Sequence, residues 1–252
     1  MTDQELKEFL DFKAEQYENL AFISSDPIQL PHRFERKEDI EIIAFLVSTI
    51  AWGTRKGIIS SGEKLIEIME NEPLSFIHTY SPKRLKNSSF VHRTFNVADL
   101  NQFFLSLQRI YKNSNLEECF SSHSEIEGVK GRIANFRSTF FQTDDLQRSM
   151  KHVSDPLRNS ACKRINMYLR WMVRDASKGV DFGLWKRIPR SELYVPLDVH
   201  TSRNARNLGL LSRKQDDWKA LDELMLRLRE FDSNDPAKYD FALFGIGAFE
   251  KF

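Results

Sequence analysis

The chain is short of cysteine, of clustered histidine, of long apolar runs and of strand-like alternation, and each shortage removes a class of protein. Two cysteines in 252 residues, Cys119 and Cys162, are too few for a disulfide framework, a four-cysteine zinc site or a four-cysteine iron–sulfur cluster. The six histidines show no close ligand spacing, which argues against a metal-dependent hydrolase built on His and Asp. No metal and no other cofactor is therefore expected. The longest apolar run, Ile42 to Ala51, is broken by Ser48 and Thr49 and falls far below the roughly 20 residues that span a bilayer. The N-terminal stretch MTDQELKEFLDFKAEQYENL is acidic and lacks the cationic-then-apolar order of a secretory signal. A cytoplasmic protein with no membrane partner is expected. No repeat of fixed period and no low-complexity tract occurs.

What is present is helical periodicity. Hydrophobic residues make up 41% of the chain, ample for a core at this length. Leu6, Phe9, Leu10, Phe12 and Tyr17 fall near helical spacing after a capping Thr2 or Asp3. Further helices are predicted at Asp39–Ala51, Thr54–Glu70, Val97–Tyr111, Ile126–Phe141, Asp145–His152, Lys163–Asp175, Thr201–Leu208, Lys214–Phe231 and Asp235–Gly245, with WGTR as the joint between the first two of these. The fold class is all-α.

Charge is distributed unevenly. The net charge is only +1, yet Arg158 to Lys214 holds 13 Lys or Arg against 4 Asp or Glu. One basic segment in an otherwise acidic chain is the footprint of a docked phosphate backbone, or equally the solvated face of two helices.

Chemistry concentrates in that segment. Ser160 precedes the periodic residues Ile165, Tyr168, Leu169 and Met172, and as a cap it puts Lys163 in the first turn of its helix. A free lysine titrates near about 10.4 and is a poor nucleophile at neutral pH. Partial burial, the positive end of the helix dipole, and the neighbours Arg158 and Arg164 would each disfavour its charge and expose a neutral amine. The alternative is an ordinary surface lysine. Asp198 sits in the apolar frame YVPLDVH, where Leu197 and Val199 are expected to point inward. A carboxylate there either caps the following helix or stabilises a developing oxocarbenium ion and shuttles protons. His200 either orients Asp198, contacts phosphate or is simply a satisfied polar residue of the first helical turn.

The lysine helix followed by VPLDVH resembles the helix-hairpin-helix superfamily of DNA glycosylases, and within it the 8-oxoguanine glycosylase branches, eukaryotic and archaeal. The fuller set HRTFN, KRINMYLRWMVR, VDFGLW, PLDVHTSRNAR and KYDFALFGIG is similar to an uncharacterised bacterial family placed in that superfamily. The resemblance implies two helical subdomains with a cleft between them: a central bundle over 36–155, and residues 1–35 with 156–252 carrying the lysine hairpin, the aspartate and the C-terminal helices. It implies a base-excision repair enzyme, a bifunctional DNA N-glycosylase/AP lyase that removes an oxidised purine, 8-oxoguanine foremost. Lys163 attacks the sugar C1′ and forms a Schiff base; Asp198 assists at the anomeric carbon. The partner is double-stranded DNA carrying a damaged base, bound by a monomer.

Other positions follow from the same resemblance. Arg158, Asn159, Ser160, Arg164, His200, Arg203 and Arg55 are the expected DNA contacts, and Phe244, Asp240 and Trp52 the expected base-pocket residues, Phe244 stacking on the base and Asp240 reading it. His92 and Arg93 of HRTFN are further candidates. Trp185, with Lys186, Arg187 and Arg190, either docks the backbone or packs the segment between Lys163 and Asp198 onto the core. The hairpin from Asp155 to Cys162 contains no glycine, although the family's hairpin uses glycines so that backbone N–H groups approach a phosphate. That departure keeps a second reading open: a non-catalytic DNA-binding protein on the same scaffold, in which Lys163 contacts phosphate and Asp198 caps a helix.

Overall fold

Thr2 begins the first helix through a capping box: its hydroxyl accepts the Glu5 N–H and the Glu5 carboxylate accepts the Thr2 N–H. The computed structural model describes residues 1–122, 124–142 and 148–250. In chain order the α-helices are α1 Asp3–Tyr17, α2 Leu20–Ile23, α3 Lys37–Thr49, α4 Arg55–Ile68, α5 Pro73–His78, α6 Val97–Tyr111, α7 Leu116–Ser121, α8 Gly128–Phe140, α9 Lys163–Val173, α10 Val199–Asn207, α11 Trp218–Phe231 and α12 Tyr239–Gly245. A two-residue hairpin, β1 Val91–His92 with β2 Phe95–Asn96, is the sheet among the described residues. The fold is mostly helical, as the periodicity predicts. Of the helix expected at Asp145–His152, residues 145–147 lie outside the described residues and Ser149–His152 forms a single 3₁₀ turn. Among the described residues no helix is long and apolar enough to cross a membrane.

The chain divides into two units, residues 25–154 and residues 1–24 with 155–252. In the first, buried phenylalanines build the core. Phe45 of α3 meets Phe136 and Phe140 of α8 edge-on at 5.4 and 5.2 Å, and Phe120 stacks on Phe136 at 4.0 Å. Such offset and edge-to-face pairs each add about 0.5–1.5 kcal/mol beyond their buried area. Asp99, at N3 of α6, completes a capping box with Asn96 and then collects Ser149 Oγ at 2.9 Å and His152 Nε2 at 3.3 Å. Burial pushes the Asp99 carboxyl up, but these partners and Arg148 outweigh it and hold the group low.

In the second unit α1 lies against α12, burying Leu6, Leu10 and Ala14. The approach is close because Gly245 faces the Tyr17 ring. A Cβ there would fall 2.1 Å from Tyr17 Cδ2 and 2.4 Å from Cγ. Tyr17 has little room to yield, since its hydroxyl donates to Glu250 and its ring stacks on Phe249 at 5.5 Å. Gly245→Ala is therefore expected to destabilise the chain by about 1–3 kcal/mol through overpacking, measured by denaturant unfolding. A variant as stable as the wild type would mean that α1 and α12 slide apart freely.

Candidate functional site

The turn before α9 takes a left-handed backbone without a glycine. Asn159 adopts the left-handed conformation, φ +63°, that a glycine would serve, and asparagine tolerates it better than other side chains do. Its carbonyl accepts the Trp218 N–H at 3.0 Å and its amide donates to Asp217 at 2.9 Å, so the turn is pinned to the start of α11. Arg213 binds the same carboxylate, and with Asn159 and the Ala220 N–H it holds the Asp217 carboxyl well below the usual range. The helix cap expected at Ser160 is instead Cys162, at φ +48° and buried. Ser160 Oγ accepts the Cys162 N–H at 3.3 Å, so the serine stabilises the turn rather than the helix. Asn166, one turn into α9, donates to the Ala161 carbonyl at 3.0 Å and closes the turn from the helix side.

Lys163 is the first residue of α9, in the first turn as expected. The expected partial burial is not found: the side chain is exposed, because the first residue of this helix projects from the turn while Ile165, Tyr168 and Leu169 take the core face. Arg170 lies seven residues on, two turns along the same face and about 10 Å farther down the axis.

Asp198 is the N-cap of α10 and accepts the Thr201 N–H at 2.8 Å. Leu197 is buried, but Val199 is 71% exposed rather than inward, because extended alternation ends at the cap and the helix turns its first residue to solvent. Adjacent aspartates bind the turn before α9 and the body of α10. Asp217 holds the Asn159 turn, while Asp216 accepts Ser202 Oγ at 3.0 Å and Arg206 Nη2 at 2.6 Å from α10. Since the cap accounts for an Asp198 carboxylate, two variants separate capping from chemistry. Asp198→Ala is expected to lower stability by about 1 kcal/mol and Asp198→Asn to leave it nearly unchanged, read by thermal unfolding.

Asp240 does not stand open as a base reader. It is 5% exposed and its carboxylate is paired with the buried Arg170 guanidinium, a partner 70 residues distant in sequence. Burial raises its carboxyl to about 7, against the opposing pull of Arg170 and with the charges of Asp198 and Asp181 adding to the rise. Arg170 and Asp181 are further members of this cluster, and no local pattern marks them, since the partners lie far apart in sequence. Phe244 is half-buried and meets His200 edge-on at 5.9 Å and Phe22 at 6.2 Å, whereas Tyr239 and Phe241 are core. The His200 Nδ1 atom is buried without a hydrogen-bond partner, and a Cβ on Gly247 would lie 3.1 Å from it.

The remaining candidates divide by environment. Arg158 is largely exposed, with Asp155 at 3.8 Å, and Arg203 is exposed. Arg164 is partly buried, and desolvation lowers its guanidinium to about 10. Trp185 is 1% exposed and meets Tyr168 edge-on at 5.3 Å, so it packs the segment onto the core; Lys186, Arg187 and Arg190 are exposed around it. In the unit over 25–154, Trp52 and Arg55 are half-buried at the WGTR joint. Trp52 stacks on His152 at 5.9 Å and meets His92 edge-on at 5.3 Å. His92 is internal, its ring nitrogens on Ser61 Oγ at 2.8 Å and the Trp52 carbonyl at 3.0 Å, while Arg93 is exposed at φ +53°.

Among the described residues no group of three or more His, Cys, Asp or Glu is arranged to hold a metal ion. No curated protein and no solved structure matches the chain. A family model described as "Protein of unknown function (DUF2400)" matches residues 26–249, and the chain belongs to that family.

Proposed function

We propose that this chain is a DNA N-glycosylase/AP lyase that excises an oxidised purine, with 8-oxoguanine the leading substrate, Lys163 as the nucleophile and Asp198 as its carboxylate partner. The observation that supports it best is local. The turn before the exposed lysine of α9 is bonded through Asn159 to Asp217, and the helix that Asp198 caps is bonded through Ser202 and Arg206 to the adjacent Asp216, all within one unit of the fold. The glycosylase type of the helical fold is part of this proposal.

In the proposed reaction the Lys163 amine attacks C1′ as the C1′–N bond breaks and the base leaves with its electron pair. Asp198 offers a fixed negative charge to the oxocarbenium-like carbon and accepts the proton released from the attacking amine. Opening of the sugar ring gives a protonated Schiff base. Loss of a C2′ proton then expels the 3′-phosphate by β-elimination. Lys163 is exposed in the free protein, so the loss of water that activates the amine belongs to the DNA-bound state. The half-buried Phe244 and the buried, unpartnered His200 Nδ1 are the aromatic wall and polar atom proposed for the extruded base.

A second reading, non-catalytic DNA binding on the same scaffold, is favoured by one observation: capping of Thr201 accounts for Asp198 without chemistry. The two separate by borohydride trapping on duplexes carrying 8-oxoguanine, other oxidised purines or an abasic site. A covalent adduct identifies the enzyme; duplex binding without an adduct on any lesion identifies the binding protein.

A further inference from the structure

A buried cluster in the unit of residues 1–24 and 155–252 holds more negative than positive charge. Arg170 pairs with Asp240 and, at 3.4 Å, with Asp181; Arg174 pairs with Glu18, Asp181 and Asp235 at 2.6, 2.7 and 2.9 Å. The Phe241 ring lies against both guanidinium groups, 4.3 Å from that of Arg170 and 5.4 Å from that of Arg174. Four carboxylates thus share two guanidinium charges, and Asp198 caps α10, the helix that packs on α12 through the His200–Phe244 ring contact at 5.9 Å and the Asn204 amide, which donates to the Leu243 carbonyl at 2.6 Å, so that its charge also bears on Asp240. Water cannot spread the surplus, since Arg170, Asp181 and Asp240 are all buried. Such a cluster lowers its energy by keeping one carboxyl protonated. Asp181 is bound on both sides by arginine, Glu18 is held by two Arg174 hydrogen bonds and Asp235 by three. Asp240 is left with one guanidinium and with Asp198 opposing it.

We propose that Asp240 is a positioning residue for Asp198: paired to Arg170, it takes up and releases the proton of the cluster and thereby sets the negative charge felt at the start of α10. The groups facing it are Arg170 from α9, Asp181 from the segment after α9 and Asp198 from the α10 cap; on α1, Asp11 engages its neighbours Tyr239 and Lys238 instead. The coupling is reciprocal. Because the Asp198 charge favours protonated Asp240, ionised Asp240 strengthens the negative field at Asp198 by the same free energy. The Asp240 carboxyl sits near 7, so the field strengthens as pH rises through neutrality. Its consequence for catalysis rests on the reading of Asp198 as the reaction's carboxylate; the coupling itself does not.

The test follows the side-chain carboxyl carbons of ¹³C-aspartate-labelled full-length protein by NMR across pH, without DNA. In the wild type the Asp240 signal is expected to titrate near neutrality, with a matching inflection in the Asp198 signal. Asp198→Asn keeps the helix cap and should move the Asp240 midpoint down, toward ordinary carboxylates. An Asp240 midpoint in the ordinary range, or one unmoved in Asp198→Asn, overturns the inference. The catalytic arm uses the pH profile of base excision, where Asp240→Asn should match the wild type below neutrality and lose its inflection near pH 7. A retained inflection rejects the role even if trapping succeeds. Absence of any trapped adduct removes the reaction while the NMR result still decides the coupling.

Discussion

Replacing Lys163 with alanine is expected to abolish the borohydride-trapped adduct on lesion-bearing duplex while leaving the protein at least as stable as the wild type. The first half follows from the proposed chemistry: without a primary amine at the start of α9 no Schiff base forms, and neither residual binding nor Asp198 replaces a covalent nucleophile. The second half follows from the fold. Lys163 is exposed at the first position of its helix, where surface substitutions usually move stability by no more than about 0.5 kcal/mol. A cation at a helix N-terminus is also opposed by the macrodipole, so removing it contributes about 0.3–1 kcal/mol toward stability. Lost trapping with equal or higher melting temperature separates a chemical lysine from a structural one. Retained trapping in Lys163→Ala would move the nucleophile elsewhere and remove the basis of the proposed function.

The same residues show how far a sequence carries. The span Val97–Tyr111 is legible to the residue because Asn96 and Asp99 mark its start and apolar periodicity runs its full length. The short helices Leu20–Ile23, Pro73–His78 and Leu116–Ser121 offer too few periodic positions to stand out from loops. At the candidate site, first-turn placement of Lys163 and the capping role of Asp198 follow from local pattern. The turn before the lysine does not: nothing local announces that a buried cysteine takes φ +48°, since the packing around it imposes that conformation. Burial of Asp240 is likewise illegible, because its partner is contributed by another helix. An aspartate at a helical position reads as polar and exposed until Arg170 is found beside it.

Loss of Arg174 is expected to be the most destabilising single change in the unit of residues 1–24 and 155–252. The guanidinium is buried and donates to Glu18, Asp181 and Asp235, which fastens the chain just after α1 to the segments after α9 and before α12. A buried ion pair contributes little over a well-packed apolar replacement of the whole group. Removing one partner is different, because the carboxylates stay behind without compensation, at about 3–5 kcal/mol. Arg174→Met keeps much of the volume and the contact with Phe241 while deleting the charge, and should lower the melting temperature by about 6–20 °C. Arg174→Lys should fall between, since one ammonium cannot reproduce the fork that serves three carboxylates. The pH dependence has a definite sign. Burial opposes the Arg174 charge, but Asp181, Asp235 and Glu18 outweigh it and raise the folded-state value well above the ordinary arginine range. A raised value means that the contribution is full below the unfolded pKa and is lost only as pH climbs through the still higher folded one. Between neutrality and about pH 10 the gap between wild type and Arg174→Met should therefore stay constant. It should narrow only in acid, as the three carboxylates protonate and the wild type loses its ion pairs while the variant loses its unpaired charges. Equal melting temperatures at neutral pH, or a gap that closes on the alkaline side, would mean that the carboxylates reach solvent in the folded chain and that Arg174 does not bind these segments together.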